Sequence, residues 1–399
     1  MKLTYIANLR LPTEKAYGIQ IAKTGEALAA QGIKVKLVAP FRFSRIKTDF
    51  FEYYGIAKSF EFKKIFAPDF YLPGPLDKIA FGVKSFIAAV ILDLYALAAG
   101  ADIYYFRDEL PVYLMSFFIR PEKIIFEAHK YSRVRRFWFS RFRKKGIKVM
   151  VITGELKKEL IEVGFAEKNI LVAPDGVDLK EFAVALDQNQ AREQVGLPMG
   201  KKIVLYAGHL FGWKGASVLL EVARNFQFSI FPPSGDLPQG DNFQKNIEDI
   251  LFVFVGGTEH DVEEFRKKAA NLDNVLILGH QPHKMIPLYL KAADVLVLPN
   301  SGRAPISRFY TSPLKLFEYM AAQRPIVASD LPSLREVLNE NNAALVSSDD
   351  SIALAAGIKK VLLDPVLADR IVQRAYNDVQ NYTWSKRAGK ILKFTTKKQ

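Results

Sequence analysis

The sequence predicts an α/β protein with two doubly wound domains, and three features support that prediction. Short apolar runs bounded by polar or turn residues alternate with longer segments of helical period, which is the pattern of parallel strands covered by helices. This alternation restarts after Pro198-Met199-Gly200. A chain of 399 residues also exceeds one ordinary core, so two domains of roughly 150–200 residues are expected.

The elements follow one another in the same rhythm in both halves. In the first half we predict strands at 5–7, 35–39, 103–106, 124–127 and 149–153, with helices at 19–30 and 156–163. In the second half we predict strands at 203–207, 251–255, 275–278, 295–298 and 326–328, with a helix at 216–223. The Pro- and Gly-rich stretch 228–243 predicts a surface insertion. The expected domains are 1–190 and 191–378, followed by a tail at 379–399.

Composition excludes several classes of protein. The chain has no cysteine, so it holds no disulfide framework, thiolate metal site or cysteine nucleophile. Its first residues read as a strand and not as a signal peptide. The longest apolar stretch, 79–101, is interrupted by Lys84 and Asp93, which favours a buried or interfacial helix over a membrane span. We therefore expect a cytoplasmic protein that can lie on the inner face of the membrane.

Positive charge is concentrated in two parts of the chain. Of a net charge of +14, residues 1–190 carry 30 Lys and Arg against 21 Asp and Glu, and residues 379–399 carry six against none. Residues 191–378 are balanced, at 20 against 21. Such asymmetry indicates a surface that meets a membrane or a nucleic acid. No helix-turn-helix, zinc or RNA-binding motif is found, so a nucleic acid is not the expected partner.

Basic residues alternate with aromatic residues in two segments, 41–47 and 130–148. This mixture suits a segment that lies at an anionic leaflet, although a solvated basic helix would have the same composition. The residues expected to form this face are Arg135, Arg136, Trp138, Arg141 and Arg143.

Two glycine-containing loops are candidates for holding a phosphate. Gly18 precedes a predicted helix, where backbone N–H groups and the helix N-terminus favour an anion, although a glycine also relaxes a tight loop. The segment 208–215 lies between a strand and a helix and contains Lys214. A lysine at the carboxyl end of a parallel strand stands where open α/β sheets bind their ligands.

A third candidate is the segment around Ser312. Ser312 as N-cap followed by proline is a strong helix start, which leaves the N–H groups of Leu314 and Lys315 for an anion. Glu318 lies four residues beyond Leu314 on the same helix face. Its carboxylate could therefore accept the hydroxyls of a ribose whose diphosphate lies at the helix end.

Taken together, these segments resemble glycosyltransferase family 4. The similar segments are 17–35, 172–178, 208–215, 312–327 and the tail from residue 382. The resemblance implies a GT-B fold, with two facing Rossmann-like domains and a C-terminal helix that returns to the N-terminal domain. It also implies a retaining transfer of sugar from a UDP- or GDP-linked donor to an acceptor, with a lipid-linked or cell-envelope glycan as our expectation.

The resemblance also assigns roles by position. It implies that Gly18 and Lys214 contact the diphosphate, that Glu318 contacts the ribose, and that His129 lies near the transferred sugar. His129, Lys214 and Glu318 are the residues expected to take part in catalysis. Closure of the two domains is expected to assemble the site.

Two positions depart from the family pattern. The family usually has arginine where this chain has His209, and we expect Arg303, Arg308 or Lys315 to replace that charge. An acidic residue usually stands eight positions before Glu318, where this chain has Tyr310. A tyrosine hydroxyl can also bond a sugar hydroxyl, so Tyr310 and Ser312 stay among the expected substrate contacts.

No metal and no cofactor are expected. The sequence lacks the Asp-x-Asp pair of metal-dependent sugar transferases, so fixed positive charge would stabilise the leaving diphosphate. Three other interpretations stay open: a nucleotide-sugar epimerase of the same fold, a basic nucleic-acid-binding protein, and a non-catalytic relative.

Overall fold

A computed structural model describes residues 1–44, 46–227 and 250–396. The chain divides into two compact units, one formed by Met1–Gly176 with Trp384–Gln399 and the other by Val177–Thr383. The division therefore falls after Gly176, earlier than the predicted boundary after residue 190. The tail that rejoins the first unit begins at Trp384, later than the predicted residue 379. The predicted insertion at 228–243 lies outside the described residues.

The first unit contains a seven-stranded parallel sheet with the order β3-β2-β1-β4-β5-β6-β7. Its central strands are buried on both faces, as expected of strands covered by helices. The strands are β1 (Lys2–Ile6), β2 (Lys34–Pro40), β3 (Glu61–Ile65), β4 (Ile103–Phe106), β5 (Ile124–Ala128), β6 (Lys148–Val151) and β7 (Ile170–Val172). The helices before the unit boundary are α1 (Ala16–Ala30), α2 (Phe50–Tyr54), α3 (Leu76–Ala99), α4 (Glu109–Met115), α5 (Arg136–Lys145) and α6 (Gly154–Glu162).

The second unit contains a six-stranded parallel sheet with the order β10-β9-β8-β11-β12-β13. Its strands are β8 (Lys202–Ala207), β9 (Ile250–Val255), β10 (Val275–Gly279), β11 (Val295–Leu298), β12 (Ile326–Ser329) and β13 (Ala344–Val346). Its helices include α7 (Leu179–Phe182), α8 (Gln188–Val195), α9 (Ala216–Gln227), α10 (Glu259–Lys268), α11 (Ile286–Ala292), α12 (Pro305–Phe309), α13 (Leu314–Ala321), α14 (Pro332–Arg335), α15 (Ser351–Leu363) and α16 (Pro365–Val379). Apolar side chains pack on both faces of this sheet.

The last described helix, α17 (Trp384–Thr396), packs against α1 and belongs to the first unit. It buries Trp384, Ala388 and Ile391. It also carries Arg387, whose guanidinium donates to Thr24 Oγ1 of α1 at 3.0 Å. The predicted return of a C-terminal helix to the first domain is confirmed.

The strands that the sequence did not predict, β3, β7 and β13, all lie at sheet edges. An edge strand has a neighbour on one side only, so it needs less apolar surface than a central strand. Accordingly β3 has exposed or half-exposed residues throughout, and β7 and β13 are three residues long. Their periodicity was too weak to separate them from loops.

Helix α3 corresponds to the apolar stretch 79–101. It is the one helix among the described residues that is long and apolar enough to cross a membrane, with a mean hydropathy of 1.8. One side packs on the first unit and buries Ala88, Leu92 and Asp93, whereas Ile79 and Phe81 are more than 60 % exposed. This two-sided burial fits the predicted buried or interfacial helix.

Candidate functional site

The loop after β8 is held in place by a glycine. Residues Gly212–Lys214 form one 3-10 turn, and Gly215 follows with φ +76°, in the left-handed region. A Cβ on Gly215 would lie 1.5 Å from the carbonyl oxygen of Pro299, just after β11. Only glycine allows this approach, so the loop is packed against the carboxyl end of the neighbouring strand. That location is where parallel sheets bind ligands.

Lys214, at the end of this turn, is half-buried. Its Nζ lies 5.3 Å from the ring centroid of Trp213 and 5.9 Å from that of Phe211. Burial lowers the pKa of Lys214 to about 8, although the charge of Glu318 acts in the opposite direction. A lysine held this way has little solvation to lose when an anion binds.

Helix α13 begins one residue later than predicted. Pro313, and not Ser312, occupies the N-cap, and the N–H of Leu316 donates to the Pro313 carbonyl at 2.9 Å. The displacement arises because Pro313 has extended backbone angles (φ −74°, ψ 127°) and not helical ones. Leu314 and Lys315 remain the first residues of the helix, as the predicted anion site requires.

Lys315 is a buried lysine whose ammonium group has no hydrogen-bonding partner among the described residues. Its side chain is 7 % exposed, and its Nζ makes no hydrogen bond within the described residues. The Nζ lies 3.8 Å from the ring centroid of Tyr206. Burial, together with the charge of Lys214, holds the pKa of Lys315 well below its usual range, with Glu318 opposing. Such a group is stabilised by any anion that reaches it.

Glu318 lies near both lysines, since its charge acts on each of them. Its Oε1 lies 3.3 Å from Nε2 of His283, and its side chain is 13 % exposed. The sequence did not single out His283. It follows the end of β10, at the same sheet edge as Gly208–Gly215, and that position was the available signal.

The two departures from the family pattern occupy defined environments. The ring of His209 stacks on that of Phe211, with centroids 4.9 Å apart and planes at 3°, and its carbonyl accepts from the Tyr206 hydroxyl at 2.6 Å. Tyr310 caps the end of α12, beside Phe309. The roles predicted for His209, Tyr310 and Ser312 stay predictions.

The three cations considered as replacements for the missing arginine differ in burial. Arg303 and Arg308 are exposed, and Arg308 lies over the ring of Phe309 at 5.0 Å. Lys315 is the buried one, and its pKa responds to Lys214. Lys315 is therefore the replacement that the local geometry favours.

Gly18 lies in the first turn of α1, which begins at Ala16, earlier than predicted. Its N–H donates to the Lys15 carbonyl at 2.9 Å. A Cβ at Gly18 would lie 2.0 Å from the hydroxyl oxygen of Tyr54. Close packing thus explains this glycine, and its contact with a diphosphate stays a prediction.

In the first unit, His129 follows β5. Its Nε2 lies 2.9 Å from Oε1 of Glu127, which is fully buried. Burial and the charge of Arg107 lower the pKa of His129 to about 4, against the opposing effect of Glu127. The imidazole is therefore neutral at physiological pH. Because a carboxylate only accepts hydrogen bonds, the proton is on Nε2 and Nδ1 is an acceptor.

The basic-aromatic segment forms α5 and the turn before it, and several of its cations are already engaged. Arg135 pairs with Glu109 and lies 5.3 Å from the Trp138 ring. The Nε of Arg141 donates to Ser116 Oγ at 2.7 Å, and Arg143 donates to the Val163 carbonyl at 2.8 Å. Phe139 and Phe142 of the same helix are core residues. Arg136 is exposed.

Among the described residues, no group of three or more His, Cys, Asp or Glu side chains is placed to hold a metal ion. The predicted independence from metals and cofactors stays a prediction.

Comparison with known proteins shows that a family model matches most of the second unit. Residues 187–378 match the family described as glycosyl transferases group 1. These residues are a group 1 glycosyltransferase domain. The predicted resemblance to a glycosyltransferase family is thereby confirmed for this unit, and the group 1 domain contains Lys214, Lys315, His283 and Glu318.

Curated relatives extend the similarity beyond the domain model. The chain is 30% identical over 223 residues to the phosphatidyl-myo-inositol mannosyltransferase of Mycobacterium leprae, a stretch that covers 55% of this chain and 51% of that protein. It is 25% identical over 237 residues to D-inositol 3-phosphate glycosyltransferase 1 of Catenulispora acidiphila, covering 57% and 52%. The chain thus spans about half the length of the curated relatives that it matches.

Solved structures show the same fold over the whole chain. A sucrose-phosphate synthase from Thermosynechococcus elongatus superposes with a TM-score of 0.72 at 20% identity, covering 98% of this chain and 97% of that one. Anabaena Alr3699/HepE, in complex with UDP, gives 0.71 at 16% identity, covering 98% and 99%. The predicted GT-B fold is confirmed. His129, Glu127 and α17 lie outside the group 1 domain, so the family match assigns them no role.

Proposed function

We propose that this chain is a retaining glycosyltransferase that uses a nucleotide-diphosphate sugar as donor. The observation that carries the proposal is the cluster at the carboxyl edge of the second sheet. There Lys315, buried and without a hydrogen-bonding partner in the part of the chain that the structure describes, lies near Lys214 and Glu318 within the group 1 domain. Two cations with depressed pKa values at a helix N-terminus form a site for a diphosphate.

The cluster accounts for the chemistry of transfer without a metal. Cleavage between the anomeric carbon and the diphosphate leaves negative charge growing on the phosphate oxygens. Lys214, Lys315 and the N-terminus of α13 stabilise that charge more in the transition state than in the ground state. Glu318 accepts hydrogen bonds from the ribose, and its pairing with His283 orients it for that contact.

The test is turnover and donor binding with a panel of UDP- and GDP-sugars. We expect Lys214→Met, Lys315→Met and Glu318→Gln each to weaken donor affinity about tenfold or more, as expected for lost charge-assisted contacts. Lys360→Met removes an exposed lysine of the same unit and serves as the control. Equal donor affinity in all four variants would contradict the proposal.

The same assay distinguishes the transferase from an epimerase and from a non-catalytic relative. If incubation with the donor alone converts its sugar to an epimer, and no acceptor receives the sugar, the chain is an epimerase. If no nucleotide sugar binds, it is a non-catalytic relative. Transfer to an acceptor with retained anomeric configuration supports the transferase.

For the acceptor side, we propose that the first unit works at an anionic lipid surface and takes a lipid-linked acceptor. The related mannosyltransferase of Mycobacterium leprae is named for phosphatidyl-myo-inositol, a lipid. In this chain the exposed apolar residues of the first unit, together with its basic excess, support the same kind of acceptor.

The apolar part of this surface lies on α3, on the loop before it and on residues 41–43. The sequence predicted 79–101 as a buried or interfacial helix and 41–47 as a basic-aromatic segment. Arg42 connects the loop before α3 to α3 itself, because it donates to the Pro68 carbonyl at 2.7 Å and to the Lys84 carbonyl at 3.3 Å. Lys84 in turn lies 3.4 Å from the ring centroid of Tyr71. The exposed large apolar residues here are Phe41, Phe43, Phe66, Phe70, Tyr71, Leu72, Leu76, Ile79, Phe81, Val83 and Phe86.

Vesicle flotation tests this surface. We expect binding to vesicles with anionic lipid, weakening with salt, and at least several-fold weaker binding for the double variant Ile79→Ser with Phe81→Ser. Val366→Ser removes an apolar residue of the second unit that is even more exposed, and this variant should bind as the unchanged protein does. Absence of flotation at low salt would contradict a lipid surface.

A further inference from the structure

A buried carboxylate in the first unit accepts hydrogen bonds from three other elements and from a histidine just beyond its own strand. Glu127 of β5 is fully buried. It accepts from Gln20 of α1, from the hydroxyl of Tyr105 of β4, and from Nη2 of Arg387 of α17 at 3.0 Å. It also accepts from His129 Nε2. Burial alone would raise the pKa of Glu127, but the charge of Arg387 and the His129 bond hold it well below its usual range.

Arg387 is the fully enclosed counter-ion of this carboxylate. It is 4 % exposed and also donates to Thr24 Oγ1 at 3.0 Å and to the Pro174 carbonyl at 3.1 Å. A second cation, Arg107, lies farther from Glu127, at 3.5 Å, and donates to Gln20. A buried carboxylate keeps its charge through such partners, and both α17 and Arg107 supply them to Glu127.

We propose that Arg387 is a positioning residue for the transfer reaction: through Glu127 it fixes the ring of His129, with Nε2–H directed at the carboxylate and Nδ1 left as a hydrogen-bond acceptor. The inference rests on the proposed function. A carboxylate that fixes the ring and tautomer of a histidine is the usual means of presenting its other nitrogen to a substrate. Here the cation that sustains the carboxylate comes from a helix more than two hundred residues later in the chain.

The charges that face His129 predict how it titrates. Arg107 and Arg387 lower its pKa and Glu127 raises it, in addition to the lowering by burial. Removing Arg387 therefore raises the pKa of His129, and removing the charge of Glu127 lowers it further. Asp175, whose burial raises its pKa to about 7 and on which Arg387 and Glu127 also act, belongs to the same network. Opposite shifts in the two variants are specific to this arrangement.

The experiment is a ¹⁵N and ¹³C histidine titration of the full chain by NMR, with a His129→Gln sample to assign the signal among the five histidines. In the unchanged protein we expect His129 as the Nε2–H tautomer, titrating near pH 4. A titration near 6.5, or the Nδ1–H tautomer, would overturn the proposal without any variant.

Arg387→Met should raise the pKa of His129, Glu127→Gln should lower it, and Arg387→Lys should restore it. In turnover, the acid limb of the kcat profile should move upward by the same amount in Arg387→Met, with the donor KM unchanged. Arg192→Met is the matched control, since Arg192 is buried and pairs with Asp294 at 2.6 Å in the other unit. It should lose stability without moving the His129 signal.

The outcomes separate this inference from the proposed function. An unmoved His129 signal in Arg387→Met, or a moved signal with an unmoved kcat profile, overturns the positioning role. Absence of turnover by the unchanged protein with every donor overturns the proposed function, and with it the role in transfer. The NMR titration would even then decide whether Arg387 sets the protonation of His129.

Discussion

At the scale of single residues, burial changes what a charged side chain can do. Lys214 and Lys315 are ordinary lysines in the sequence, yet burial depresses the pKa of both, and Lys315 has no hydrogen-bonding partner among the described residues. His129 is likewise kept neutral by burial and by Arg107. The sequence predicted Lys315 as a site residue from its helix start, and it predicted Lys214 and His129 mainly from the family resemblance. Their protonation depends on neighbours distant in sequence, and no local pattern contains that information.

The depressed pKa of Lys214 leads to a pH prediction for donor binding. A bound diphosphate raises the pKa of a nearby lysine from about 8, so binding between pH 8 and 9 should take up a proton. We expect UDP affinity to fall as pH rises from 7 to 9, and uptake of about 0.5–1 proton per UDP at pH 8.5. Calorimetry in two buffers of different ionisation enthalpy measures the uptake. Lys214→Met should reduce it, and unchanged affinity and uptake in that variant would contradict the assignment.

At the scale of elements, local sequence patterns predicted some strands and helices at the right residues and others at shifted ones. Hydrophobic runs located the central strands to within a few residues, because those strands must be apolar on both faces. Edge strands such as β3 were not predicted, because their residues are exposed and lack the apolar pattern. The start of α13 is predicted one residue early because Ser312 followed by proline fits the rules for an N-cap and a first helical residue, whereas the extended backbone of Pro313 makes Pro313 the N-cap.

The loop between β8 and α9 offers a matched test at this scale. Gly215→Ala places a Cβ against the Pro299 carbonyl at a left-handed φ, so we expect a loss of about 2 kcal/mol or more of unfolding free energy and weaker UDP binding. Gly212→Ala, three residues earlier, has open space at its Cβ and should behave as the unchanged protein. Chemical denaturation measures the stability of the two variants, and UDP titration measures their nucleotide binding. Equal stability would show that the loop is not held at Gly215.

At the scale of the whole molecule, the chain is divided discontinuously. The first unit takes its last helix from the opposite end of the chain, and that helix supplies Arg387 to the buried Glu127. The basic excess of the first half and of the tail therefore belongs to one unit. In the sequence the tail appeared only as a basic, family-like segment, because the requirement for a cation at residue 387 arises from a carboxylate 260 positions earlier.

Removal of α17 tests this dependence. Truncation after Thr383 uncovers apolar surface that packs on Trp384 and Ile391 and leaves Glu127 without Arg387. We expect the first unit to lose about 3–5 kcal/mol or to unfold, since a buried charge is left unpaired. Lys390→Ala, an exposed position on the same helix, should have little effect. Differential scanning calorimetry measures both, and an unfolding transition at the original temperature after truncation would refute the dependence.

The amino-acid sequence by itself determined the α/β class, the two-domain plan, the central strands and the family of the second unit. These depend on hydrophobic period and on short motifs, which are local properties. Only the tertiary structure decided the unit boundary at Gly176, the place of Lys315 as the buried cation, the exposed apolar face of α3 and the pairing of Arg387 with Glu127. Each of these depends on contacts between residues far apart in the chain, and burial and charge pairing at such contacts set the energies.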